Sequence, residues 1–339
     1  MIVIKQNVGV DISKESFMAS FVVLFSNQEI SHKGIKKFEN TKSGIASFRK
    51  WIKHLSTEGI EIHITLESTG VYHELLAHML NNKDNIILHI ELPNKVKKYN
   101  ESLDIKAKTD KIDSKNLGRL GIERTLKQWK LSPEIFLRLK VLTREKLQLI
   151  KERTMIKNQL HAYTYSAKKA NTSVTRSKNR IKYIEKQIES IEKEIKKEVS
   201  KDENLSKKIK KIQTVPGLGF FTIVSVIAET EGFANVKSIK QLTSYSGYDV
   251  VIKESGKWKG KSRISKKGNS NIRYYLHMPS LSAIQHSQTY KRVYERIMEK
   301  KEHKMIGIVA VQRKLLGLIY TLWKNDTEYI ENYQNENVA

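Results

Sequence analysis

The spacing of apolar residues changes period several times along this chain, and each change marks an element. From Asn7 to Ile12 (Asn-Val-Gly-Val-Asp-Ile) a short apolar strand carries a single acid, Asp11. Ser16–Leu24 and Glu29–Phe38, rich in Val, Phe and Ile, predict two more strands. Over Lys42–Leu55 the period becomes helical, with Ile45, Phe48, Trp51, Ile52 and Leu55 on one face. Ile60–Leu66 alternates as a strand and delivers Glu67 at its end. A helix over Val71–Leu80, a strand over Asn85–Ile90 and a short helix opened by Pro93 follow. A basic linker then leads to Thr109, a plausible N-cap for a helix whose first turn holds Asp110 and Asp113.

Beyond Gln128 the pattern is almost entirely helical. Pro133 opens a segment in which Phe136, Leu139, Leu142, Leu147, Ile150 and Ile156 predict a long amphipathic helix. After a break near Lys169–Ser177, isoleucines at 181, 184, 188, 191 and 195 recur at alternating spacings of three and four. That is the seam of a coiled coil, flanked by Glu and Lys. One helix over Lys178–Lys211 would run roughly 50 Å at ~1.5 Å per residue. A protruding hairpin that pairs with a second subunit is the functional expectation; a hairpin packed only on itself is the alternative. Thr214-Val215-Pro216-Gly217-Leu218-Gly219 before the apolar helix Phe220–Glu229 has the pattern of a helix-hairpin-helix turn, where backbone amides meet a phosphate. Helices over Arg273–Ile284, Tyr290–Lys301 and Ile306–Trp323 would form a core that carries a basic loop.

Charge narrows the partner. The 339 residues contain 62 Lys plus Arg against 36 Asp plus Glu, a formal net charge of +26. Nucleic acid is the natural counterpart of such an excess, with an anionic membrane second. No apolar run approaches the length expected of a membrane span and no signal pattern opens the chain, so a membrane partner is not expected and a cytoplasmic location is. The absence of cysteine excludes disulfides, cysteine-ligated zinc and thiol chemistry. The excess concentrates in Val251–Arg273, which holds eight Lys or Arg and one acid among Gly256, Gly260, Gly268 and Trp258. A glycine-punctuated basic loop can approach phosphates closely, and Lys257, Lys259, Lys261, Arg263, Lys266, Lys267 and Arg273 are its nucleic-acid-binding candidates.

The acids supply the chemistry. Asp110 and Asp113, three apart, share a helix face. Such a pair is commonly just a solvated, dipole-favoured feature of a first turn. Here the element order (three strands, helix, strand, helix, strand, helix) is that of a ribonuclease H-like domain, and Asp11 and Glu67 end strands where such a domain places acids. Four carboxylates suit one or two Mg²⁺ ions. The expected organisation is a ribonuclease H-like α/β domain over residues 1–127, a coiled-coil oligomerisation region over 128–211 and a helical C-terminal domain over 212–339.

Several motifs occur together: Gly9-Val10-Asp11, Glu67-Ser68-Thr69-Gly70, Thr109-Asp110-Lys111-Ile112-Asp113, Val215-Pro216-Gly217-Leu218-Gly219, Ser255-Gly256, and Ile264-Ser265-Lys266-Lys267-Gly268-Asn269-Ser270-Asn271-Ile272-Arg273. In this order they resemble the DEDD transposases of the insertion-sequence one-ten family, over nearly the whole chain. The resemblance implies a RuvC-like domain, with Asp11, Glu67, Asp110 and Asp113 as metal ligands and Ser255 as nucleophile. Ser244, Ser246, Ser262 and Ser265 lie nearby, and Gly247-Tyr248-Asp249-Val250 departs from the family's usual Gly-Leu-x-Pro-like stretch. It also implies donor and target DNA as partners, an element-encoded guide RNA in some members, and a homo-oligomer, dimeric and tetrameric on DNA. A Mg²⁺-dependent junction-resolving nuclease and a non-catalytic nucleic-acid-binding scaffold are the alternative functions.

Overall fold

The computed structural model describes residues 1–330 except Thr69, Asn82, Asp84, Lys106, Lys169, Ala170, Lys253, Lys257 and Lys261, and omits the side chain of Lys259. Two compact units emerge, Met1–Leu131 and Ser132–Ala339.

In the first unit β1 (Val3–Ile12), β2 (Ser16–Phe25) and β3 (Ile30–Glu39) form an antiparallel meander. α1 (Lys42–Leu55) follows, then β4 (Ile62–Glu67), α2 (Tyr72–Leu80), β5 (Ile86–Glu91), α3 (Pro93–Ser102) and α4 (Asp110–Glu123). The strands lie in the order β3-β2-β1-β4-β5, with β4 parallel to β1 and β5 parallel to β4. This mixed α/β unit is consistent with the ribonuclease H-like order read from the sequence. The period-two alternation sorts its two faces. Val8, Val10 and Ile12 of β1 and Ile62, Ile64 and Leu66 of β4 join Ile45, Phe48, Leu76 and Leu80 in one core. Asn7, Gly9, Asp11, His63, Thr65 and Glu67 therefore point to the opposite face, the one α4 covers.

The second unit begins with α5 (Glu134–Tyr165) and α6 (Asn171–Ser200), packed side by side as a hairpin. The isoleucine seam expected to meet another subunit is already occupied within the chain. Ile184 and Ile188 bury with Ile156, and Ile191 and Ile195 join Leu139 and Leu142 in the unit's core. The single helix expected over Lys178–Lys211 is also interrupted. α6 ends at Ser200, and Asp202 starts α7 (Glu203–Ile212) by accepting the amide of Leu205 at 2.9 Å. That cap gives the chain a way to turn back onto the core.

α8 (Phe220–Glu229) and α9 (Ile239–Tyr245) precede two small ribbons where the sequence suggested only a loop. β6 (Val250–Val251) pairs with β9 (Arg263–Ile264), and β7 (Glu254–Ser255) pairs with β8 (Trp258–Lys259), forming an exposed arm. α10 (Ser270–His286), α11 (Gln288–Met298) and α12 (Lys304–Asn325) complete the unit. α12, at 22 residues, is long and apolar enough to cross a membrane by length and composition, which corrects the expectation that no such run exists. Its Val311, Leu315, Leu316 and Ile319 lie instead in the unit's core.

Candidate active site

In the first unit, the packing of α4 against the sheet determines where the acids go. A Cβ on Gly9 would lie 2.0 Å from the Gly118 nitrogen and 2.1 Å from the Ser114 carbonyl oxygen, so only glycine permits this contact. Beneath the helix the buried Asn7 donates from Nδ2 to the Gly118 carbonyl at 2.7 Å and accepts the Thr65 hydroxyl at 3.1 Å. The helix starts at Asp110 because the Thr109 side chain accepts the amide of Ile112 at 3.2 Å. Its first turn thus lies toward the end of the strands where Asp11 and Glu67 emerge, in line with the adjacent parallel pair Val10 and Leu66.

The electrostatics record this convergence. Burial, then repulsion from Asp113, Asp110 and Glu67, pushes the Asp11 carboxyl up to about 6, with Lys108 opposing the rise. Glu67 is raised by burial and by Asp113, again against Lys108. Asp113 is raised by burial first; Lys108 opposes this and Asp110 adds to it. Among the described residues none of the four forms an ion pair; Asp113 has one long contact, 3.5 Å from Asn100 Nδ2. Asp11 and Asp110 also line a cavity of about 90 Å³ with Ser13, Ser16, Met18 and Lys37. Among the described residues no group of three acids or histidines is drawn tightly enough to hold a metal ion. The charges are gathered on one face, but their oxygens do not converge on one point.

A fifth acid escaped the sequence reading. Glu91 is buried beside Glu67 in the register of β4 and β5, and Lys95 neutralises it at 3.0 Å. Its ion pair separates it from the unpaired four.

In the second unit Ser255 sits at the turn of the β7–β8 ribbon, exposed, before Gly256 at φ +56°. Its hydroxyl has no hydrogen-bond partner among the described residues. The neighbouring serines differ. Ser246 is fully buried, and Ser265 donates to Asp249 Oδ1 at 2.6 Å, whereas Ser244 and Ser262 are exposed. Arg263, Lys266 and Lys267 are exposed at the base of the arm. Lys257 and Lys261 lie outside the described residues, as does the side chain of Lys259.

Arg273, read as a phosphate contact, is committed elsewhere. Its guanidinium donates to the carbonyls of Ser246 at 2.7 Å, Gly268 at 3.3 Å, and Asn269 and Lys266 at 3.4 Å. It braces a turn so tight that a Cβ on Gly268 would lie 2.4 Å from the Gly247 nitrogen. From below, the turn is held by Glu229, a residue the sequence reading left in an apolar helix. This carboxylate is 1% exposed, takes Arg144 Nε and Nη2 at 2.7 and 2.9 Å, and accepts Asn269 and Asn271 at 2.6 and 2.8 Å. Burial pushes Glu229 up, but these bonds and the Arg144 charge hold it below its usual range. A single acid closing an otherwise uncharged helix was the one available signal.

Comparisons with known proteins cover both the acids and the serine arm. A model of DEDD-type transposases matches residues 8–164, and a model described as the transposase IS116/IS110/IS902 family matches residues 209–295. Pilin gene-inverting proteins of Moraxella bovis and Moraxella lacunata are each 26% identical over 331 residues, covering 96% of this chain and 98% of the relative. The two matches span the acid-bearing unit and the serine arm, and the chain belongs to the IS110 family of transposases.

Proposed function

We propose that this transposase cuts and rejoins DNA with two sets of residues, the carboxylates Asp11, Glu67, Asp110 and Asp113 and the nucleophile Ser255. The observation that carries the first set is the gathering of four carboxylates on one face with no ion pair among the described residues, one of them pushed up to about 6 largely by burial and by the others. An all-oxygen cluster of this kind fits a hard divalent cation such as Mg²⁺, as one or two ions, more naturally than it fits a folded core. Its loose geometry asks for small side-chain movements on binding. When bound, the cation would neutralise phosphate charge as bond order shifts.

Ser255 supports the second set by being exposed and unbonded, where Ser246 and Ser265 are sequestered. Its Oγ would form a bond to phosphorus as the bond to one sugar oxygen breaks, with the seryl proton ending on that departing oxygen. The phosphoserine ester keeps the bond energy, so the reverse attack by another sugar hydroxyl rejoins strands without ATP. Arg263, Lys266 and Lys267, together with Lys257, Lys259 and Lys261, supply phosphate contacts in this reading. Arg273 serves instead to hold the turn. The homo-oligomer would use surfaces other than the isoleucine seam, and selection of donor and target by a guide RNA belongs to the same proposal.

The test is strand exchange on a plasmid carrying the chain's own locus and flanks, with Mg²⁺. Ser255→Ala and Asp11→Ala should each abolish it, and only wild type should leave protein covalently on DNA. Recombination by Ser255→Ala sinks the nucleophile. Hydrolysis without rejoining would favour the nuclease, and no cutting by wild type the scaffold. Sequencing co-purifying nucleic acid tests the guide: a single recurrent RNA is expected, and random fragments would refute it.

A further inference from the structure

Charge is segregated along the α5–α6 hairpin. Between Arg153 and Ile184 the sequence holds eight Lys or Arg and no acid, whereas Glu185–Ser200 holds five Glu and four Lys. The fold puts the described residues of the first stretch at the far end. Ile156 is the last buried residue of α5, and the roughly nine residues beyond it extend ~14 Å at ~1.5 Å per residue. Three cations of this end lean back on acids: Arg153 and Lys157 on Glu185 at 3.8 and 3.4 Å, and Arg180 on Glu152 at 3.7 Å. Lys168, Arg176, Lys178 and Lys182 form no ion pair among the described residues and are exposed. Among them stand three exposed tyrosines, Tyr163, Tyr165 and Tyr183, at 40%, 78% and 64%.

A dimer seam would bury apolar residues and balance charge, as the base of the hairpin does. An inert solvated tip has no need of exposed aromatic rings. Cations interleaved with such rings match a strand that offers phosphates and unpaired bases together. We propose that the tip of this hairpin is a contact for single-stranded DNA. It rests on DNA being the substrate of the family; passing a strand between duplexes transiently unpairs it, and that segment is what the tip would hold. The contact is independent of Ser255 and of the carboxylates.

The experiment uses the full-length chain and fluorescence anisotropy with a mixed-sequence DNA oligonucleotide, its duplex and the same sequence as RNA. In a variant carrying Lys168→Gln, Arg176→Gln, Lys178→Gln and Lys182→Gln, the slope of log affinity against log salt for single strands should fall by about 3, from ~0.7 per lost phosphate contact. A control carrying Lys42→Gln, Lys50→Gln, Lys53→Gln and Lys291→Gln, all on exposed positions elsewhere, should lose less than half of that. Tyr163→Ala, Tyr165→Ala and Tyr183→Ala together should weaken single-strand binding roughly tenfold and duplex binding hardly at all. Circular dichroism should show unchanged helix content in each variant, since the altered side chains are exposed. An unchanged slope, an equal loss in the control, or equal tyrosine losses on single strand and duplex would overturn the proposal. A tip-dependent preference for RNA would overturn its assignment to DNA. Ser255→Ala should bind as wild type, so failure of the nucleophile leaves this result standing.

Discussion

The acid cluster and the serine arm are built on opposite principles. The acids sit at the ends of central strands and on the first turn of a helix held to the sheet by glycine-to-backbone contact. Their backbone positions are fixed by that contact, and the cost appears as carboxyls driven up by burial and by each other. Ser255 sits on a strand two residues long, both of them exposed, while Glu229, Arg144 and Arg273 hold the turn near the base of the arm. The first region fixes charge; the second keeps a hydroxyl accessible on an anchored base. Charge repels itself and needs a stiff frame, while a nucleophile, the role proposed for Ser255, must reach its phosphate.

The sharpest way to break the first region is at its helix contact. Gly9→Val would drive a side chain into the backbone of α4 and should cost upward of about 4 kcal/mol, leaving the first unit unfolded in urea titrations. Retention of wild-type stability would show that α4 is not held as described. The corresponding lesion in the second region is Glu229→Ala, which strands Asn269 and Asn271. A loss of about 3 kcal/mol is expected, discounted because Arg144 is half exposed and can turn to water. Glu229→Gln should cost about half as much, and equal losses would show that charge is irrelevant there.

A smaller effect has the opposite sign. The folded-state value of Asp11, raised to about 6 from 3.8, means the folded chain holds a proton more tightly than the unfolded one. The stability this confers is complete below pH ~4 and is lost as pH rises through about 6. In chelator, Asp11→Asn should therefore be more stable than wild type at pH 7.5 by about 2 kcal/mol, with the gap closing by pH 4. A variant less stable than wild type at pH 7.5 would show that the carboxylate is structurally satisfied. Smallest of all, Ser255→Ala should leave stability within about 0.5 kcal/mol of wild type. A larger change would mean that the arm is packed rather than free.

Much of the first unit was legible because each element announced its own period. β2, β3, α1, α2 and β5 fall within two residues of their predicted bounds, and Thr109 caps the helix as its residue type suggests. β1 was cut short, since Val3–Gln6 carries Lys5 and Gln6 in a run that reads as polar. There, Gln6 bonds to the backbone of Thr57 and Ile60, a long-range partner no local pattern shows. The arm was read as a loop because two-residue strands are too short to carry alternation. Arg273 and Lys266 looked alike as cations in a basic run, and only their partners separate them.

The order of elements placed Asp11 and Glu67 at strand ends, their three-residue spacing put Asp110 and Asp113 on one helical turn, and composition pointed to nucleic acid. Those are properties of neighbours within a few residues, which sequence states directly. Whether the isoleucine seam faces another subunit or its own chain, and what holds the turn at the base of the serine arm, depend on residues some 27 to 85 positions apart. Those pairings are decided by competition for burial, and that competition exists only once the chain has folded.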